Sequence, residues 1–67
     1  MIHIEVNGQT QQADDGLTVE ALLRQLSLGE KKLAVEINQE IVPRSRYAQH
    51  CLNDGDRIEI VQAIGGG

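Results

Sequence analysis

The chain has 67 residues, a formal charge of −4, a single cysteine and a single aromatic residue, Tyr47, which limits it to one domain without an internal disulfide. The acidic balance and the lack of stacking side chains exclude a binder of phosphate backbones, so no nucleic-acid partner is expected. No stretch approaches the ~20 consecutive apolar residues of a membrane span, and no basic start with an apolar run marks a signal peptide, so a cytoplasmic chain with no membrane partner is expected.

Ile2, Ile4 and Val6 alternate with His3 and Glu5, the pattern of a half-buried strand. Asn7-Gly8 follows, and both residues tolerate the positive φ of a type I′ hairpin turn. Residues 9–13 therefore form a second strand, polar enough for a sheet edge. Asp14-Asp15-Gly16 is loop chemistry, and Thr18 is placed to cap a helix whose early Glu20 suits the positive end of the dipole. Val19, Leu22, Leu23 and Leu26 fall at i, i+3, i+4 and i+7 on one apolar stripe, and Gly29 is expected to stop the helix.

Leu33, Val35 and Ile37 mark one face of a third strand, and a turn near Asn38-Gln39 leads to a short strand at Ile41-Val42. Pro43, with no backbone donor, ends or edges that strand, and residues 44–50 read as a short helical turn or loop. Asn53-Asp54-Gly55-Asp56 is a dense turn signal, after which residues 57–64 form the last strand with Ile58 and Ile60 pointing inward. The class is α+β: a mixed sheet of four to five strands covered on one face by one helix. A right-handed crossover would bring a later strand alongside the first in parallel, placing the first strand centrally, and would leave the other sheet face open for docking. This is the plan of a ubiquitin-like β-grasp, with the pairing order left open.

Gly65, Gly66 and Gly67 close the sequence directly after the last strand. A folded body at 1–64 and a flexible tail at 65–67 are expected, because glycine loses the most entropy on ordering and offers no side chain to pack. The tail is either a frayed end or a backbone slim enough for a narrow channel, where any Cβ would clash, delivering the Gly67 carboxylate to another protein's active site. Other chemistry-bearing residues are weaker candidates. Cys51, next to Leu52, reads as a small buried hydrophobe and not as a nucleophile. His3 and His50 read as surface residues, and no metal site is expected, because no ligand spacing joins them to Cys51. Arg44 and Arg46 either dock an acidic partner residue or are solvated loop charges. Asp14, Asp15, Glu20 and Glu30 are turn and helix-start residues.

The stretches Leu33-Ala34-Val35-Glu36-Ile37-Asn38-Gln39-Glu40-Ile41-Val42-Pro43-Arg44, Leu52-Asn53-Asp54-Gly55-Asp56-Arg57-Ile58-Glu59-Ile60-Val61 and Ala63-Ile64-Gly65-Gly66-Gly67 resemble the ThiS-type sulfur carriers, within the wider ThiS and MoaD group of ubiquitin-like carriers. The run Asn38-x-x-x-Val42-Pro43-Arg44 together with the final glycines carries the resemblance; the final glycines alone are weak. Gly65 stands where family members often have alanine or serine. The resemblance implies a carrier and not an enzyme. A ThiF-like adenylating enzyme would spend ATP to convert the Gly67 carboxylate into an acyl-adenylate, and a persulfide protein would supply sulfur to make a thiocarboxylate. A ThiG-like thiazole synthase would then take that sulfur for the thiazole of thiamine. Ile64, Gly65 and Gly66 would occupy the partner's channel, and the carrier would bind no cofactor of its own. A carrier for molybdopterin or another sulfur pathway, a ubiquitin-like protein modifier, and a plain interaction module share the glycine end or the fold and stay open.

Overall fold

The fold was read from a computed structural model, which describes residues 1–29 and 32–62. Strand β1 (Ile2–Val6) buries Ile4 and Val6 and exposes His3. It turns through Asn7 (φ 49°) and Gly8 (φ 85°) into β2 (Gln9–Ala13), pairing antiparallel from Val6↔Gln9 to Ile2↔Ala13. Both positive φ angles are those of the type I′ turn expected there. Only Ala13 of β2 is buried, as suits an edge strand.

Thr18 caps helix α1 (Val19–Gln25) through its hydroxyl oxygen, which accepts from the Ala21 amide at 3.1 Å. The amides of Val19 and Glu20 donate to the carbonyls of His50 and Tyr47, both at 3.0 Å. The first-turn donors, which a helix cannot satisfy internally, are thus taken up by the segment that contains Tyr47 and His50. Val19, Leu22 and Leu23 are buried, as the stripe required.

The helix does not run to Gly29. It is capped at Leu26, and Ser27 takes the left-handed conformation (φ 62°), donating to Arg24 O at 3.1 Å, while Leu28 donates to Leu23 O at 2.8 Å. This pair of bonds is a Schellman motif, with Leu28 folding back onto the core to cover it. The apolar return of Leu28 outweighs the cost of a serine at positive φ, and glycine was the wrong stop signal.

Strands β3 (Leu33–Ile37) and β4 (Glu40–Val42) form a second hairpin, followed by a 3-10 turn at Arg44–Arg46 and then by β5 (Arg57–Gln62). The sheet order is β2-β1-β5-β3-β4, with β1 and β5 parallel and the other neighbours antiparallel. This is the ubiquitin-like β-grasp. The strand that joins β1 in parallel is the last one, so β5 is the middle strand and β1 lies one place off centre.

The core lies between one sheet face and α1, where Val19, Val35 and Ile58 are fully buried and Ile4 and Leu22 nearly so. Tyr47 closes one side of it with its ring buried and its hydroxyl donating to Leu33 O at 3.4 Å. The last two positions of the strand expected over 57–64 and the body-to-tail boundary after 64 lie outside the described residues.

Candidate functional site

Gly65, Gly66, Gly67 and Ile64 lie outside the described residues, so the site is approached through the strand that leads to them in the chain. Along its β3 side β5 is paired throughout, from Ile37↔Ile58 to Leu33↔Gln62. On its β1 side the parallel register covers only Glu5↔Arg57 and Val6↔Ile58, because β1 leaves for the hairpin at Asn7. Beyond that point β5 would show bare backbone groups, which are costly where water is excluded.

Asn7 removes the deficit. Its Oδ1 accepts from the Ile60 amide at 2.8 Å and its Nδ2 donates to the Ile60 carbonyl at 3.2 Å, so one side chain stands in for one residue of a neighbouring strand. At the other end of β5, Asn38 accepts from the Arg57 amide through Oδ1 at 3.0 Å, and its own amide donates to Arg57 O at 2.8 Å. Its Nδ2 also donates to Asp56 Oδ1 at 3.0 Å, and Asp56 Oδ2 accepts from the Asn53 amide at 2.8 Å. Both asparagines sit at positive φ, 49° and 53°, where asparagine is among the least strained non-glycine residues. Two hairpin turns therefore aim their side chains at the same strand and fix its course toward residue 63. Sequence reasoning used Asn7 as a turn former, and Asn38 as a turn former and as part of the run that carries the family resemblance. Turn chemistry shows that asparagine fits the backbone, and it carries no signal of a carboxamide reaching a strand 53 residues away.

Among the described residues nothing covers the sheet face away from α1. Ile41 and Val61 are 73% and 57% exposed there, well beyond any other described large apolar residue except Met1. Register places Ile41, Glu36 and Glu59 side by side across β4, β3 and β5, with Ala34 and Val61 as the next row. On the neighbouring strand Glu5 accepts an ion pair from Arg57 at 3.3 Å.

Elsewhere the sequence expectations divide. His3 is exposed and His50 half-buried, and the carbonyl of His50 caps the helix. Arg44 and Arg46 are exposed on the 3-10 turn, and Arg46 lines a depression of about 490 Å³ together with Asn38, Pro43 and His50. That depression sits at the start of β5, opposite the end that leads to residue 63. Cys51 is exposed, contrary to the buried reading. The extended backbone there alternates, and Leu52 (2% exposed) takes the inward position while Cys51, bridged to Thr18, faces out.

The sequence model of the ThiS family matches residues 4–67, the three glycines included. The chain is 46% identical over 66 residues to the sulfur carrier protein ThiS of Escherichia coli K12, covering 98% of this chain and 100% of that protein. It is 53% identical over 62 residues to a thiazole synthase of Paramagnetospirillum magneticum, covering 92% of this chain but spanning only 19% of that protein's length. The backbone superposes on the crystal structure of the thiamine biosynthesis protein ThiS from Geobacter metallireducens with a TM-score of 0.84 and 30% identity, covering 98% of this chain and 100% of that one.

Proposed function

The chain belongs to the ThiS family, and on that premise we propose that it carries sulfur as a C-terminal thiocarboxylate for thiazole formation in thiamine biosynthesis. It is a carrier and not a catalyst. The observation that carries this reading is the family match over residues 4–67 on a β-grasp body.

The chemistry accounts for the need of a partner. A terminal carboxylate, with a pKa of about 3.5, is ionised at neutral pH and repels nucleophiles. A ThiF-like adenylating enzyme takes up Ile64, Gly65 and Gly66 in a narrow channel, and the Gly67 carboxylate attacks the α-phosphorus of ATP, forming an acyl-adenylate and releasing pyrophosphate. The terminal sulfur of a protein persulfide then attacks the carbonyl and displaces AMP. A thiol cleaves the resulting sulfur–sulfur bond, becoming a disulfide and leaving the thiocarboxylate on Gly67. No group on the carrier has to move a proton.

A ThiG-like thiazole synthase is the sulfur acceptor in this reading. Support comes from the stretch 53% identical to this chain inside a protein named thiazole synthase. Carriers for molybdopterin and protein modifiers share the glycine end, and the relatives' names favour thiamine over both.

Intact-mass analysis after incubation with ATP, a ThiF-like enzyme and a persulfide donor tests the proposal. The wild type is expected to gain the oxygen-to-sulfur mass difference. Gly66→Val is expected to gain nothing, because a β-branched side chain restricts φ and fills the channel, while its stability stays within about 0.5 kcal/mol of wild type. Equal gain by the variant would overturn the role of the glycine tail, and no gain by the wild type would overturn the carrier reading itself.

A further inference from the structure

Strand β4 forms one edge of the sheet, and among the described residues no strand pairs with its outer side. Asn38 and Gln39, both at positive φ, make a two-residue turn closed by the Ile37↔Glu40 pair, and in such hairpins the closing pair exchanges both backbone bonds. Alternation then makes Val35↔Val42 the next bonded pair and turns the amide and carbonyl of Ile41 away from β3. Beside this edge lies the depression of about 490 Å³, with Val42 and Pro43 as apolar lining and Arg46 and His50 beyond the end of the strand. Among the described residues Arg24 and Arg57 each hold an ion pair, whereas Arg46 holds none, although the chain carries a net charge of −4. The buried Asp56 carboxylate at the same depression is occupied, its Oδ1 accepting from Asn38 Nδ2 and its Oδ2 from the Asn53 amide. The opposite edge, β2, is glutamine, threonine and alanine throughout and offers no cation.

We propose that the β4 edge and this depression take up an extended acidic segment of a partner protein, which pairs with the Ile41 backbone as an added strand and sets a carboxylate against Arg46. The two parts of the site supply different things. Main-chain bonds to Ile41 hold any extended segment, and the depression selects among segments by the side chains it admits. Side chains two apart on an added strand share a face, so an apolar residue rests on Val42 and Pro43 while the acidic one reaches Arg46. A guanidinium matches a carboxylate with two parallel donors, which a solvated loop charge would have no need to do. Glu40 also lines the depression, at the start of β4, and repels an acid there, so the acidic position belongs to the Arg46 end. This site is separate from the carrier reading and does not depend on it.

An amide-resolved NMR titration of the full chain with the end-blocked peptide Thr-Val-Thr-Glu-Thr-Glu tests this. Binding is expected to shift the amides of Ile41, Val42 and Arg46 and to slow hydrogen exchange at Ile41, whose donor faces away from β3 in the free chain. The same peptide with lysine in place of both glutamates is expected to bind about tenfold more weakly. Arg46→Gln should weaken the glutamate peptide by about the same factor and melt with the wild type, because Arg46 is exposed. Arg44 lines a different hollow, with Leu23 and Tyr47, so Arg44→Gln removes an equal charge outside the site and should change binding by less than about twofold. Equal losses from the two arginine variants would reduce the effect to net charge and overturn the site. Shifts at Arg46 without protection of Ile41, shifts confined to β2, equal affinity for the two peptides, or no binding at millimolar peptide would each overturn it as well. All of these outcomes leave thiocarboxylate formation untouched, since that reading stands or falls on the mass gained at the C-terminus.

Discussion

The two faces of the sheet are built from the same strands and obey opposite rules. On the helix side, β3 and β5 contribute Val35 and Ile58, both with no exposed surface, and Val42 and Ile60 are nearly as well covered. One residue along each strand the face changes, and there Glu36, Glu59, Ile41 and Val61 meet no other layer among the described residues. Strand alternation lets so small a chain bury one side of its sheet and leave the other to solvent. A residue on the helix side is held to shape and volume; one on the open side is free of both.

The sharpest way to break this comparison is a matched pair of truncations on β5. Ile58→Ala leaves a cavity under the helix and is expected to cost about 2–5 kcal/mol, a large share of the stability available to a 67-residue chain. Val61→Ala, three residues along the same strand, is expected to stay within about 0.5 kcal/mol of wild type. Urea unfolding of both variants checks the contrast, and comparable losses would mean that the open face is covered in solution.

A second, smaller effect is expected where β5 loses its β1 neighbour. Asn7→Ala removes both bonds to Ile60 and places alanine at φ 49°, and should cost about 2–3 kcal/mol. Asn7→Asp keeps the acceptor for the Ile60 amide and tolerates the turn, so it should cost about 1 kcal/mol. Amide hydrogen exchange distinguishes this clamp from a plain turn effect. Faster exchange at Ile60 in the alanine variant, with Ile58 unchanged, is the expected signature. Uniform acceleration along β5 would mean that Asn7 matters only to the hairpin.

Much of this design was legible in the sequence because it is periodic. Alternation at Ile2-Ile4-Val6 and Leu33-Val35-Ile37 located β1 and β3 and their inward faces, and the stripe of Val19, Leu22 and Leu23 located the helix. Local rules failed where a distant contact decided the outcome. Gly29 was a reasonable stop until Leu28 found the core, and Cys51 was assigned inward until the neighbouring Leu52 took that place. Asn7 reaching Ile60, and Glu36 facing Glu59, are facts of register between strands far apart in the chain. No residue pattern within one strand reports its neighbour, so the open face could be anticipated as a surface but not as a charge arrangement. The glycines followed another route, since their reading came from family resemblance and chemical logic.

The smallest expected effect concerns the second hairpin, which borders the open face through Ile41. Its turn holds Asn38 at φ 53° and Gln39 at φ 71°, so a residue with a long unbranched side chain occupies the left-handed region where the first hairpin has glycine. For an L-residue that conformation costs roughly 1–2 kcal/mol, and glycine escapes most of it while losing more entropy on folding, by about 0.5–1 kcal/mol. The two terms oppose each other, and the net gain expected for Gln39→Gly is about 0.5 kcal/mol. Gln39 is exposed and makes no side-chain hydrogen bond among the described residues, so no contact is lost to offset the gain. A rise in melting temperature for Gln39→Gly would show that strain at φ 71° outweighs the entropy cost of glycine. A fall in melting temperature would mean that the entropy glycine loses on folding outweighs the strain it relieves at this turn.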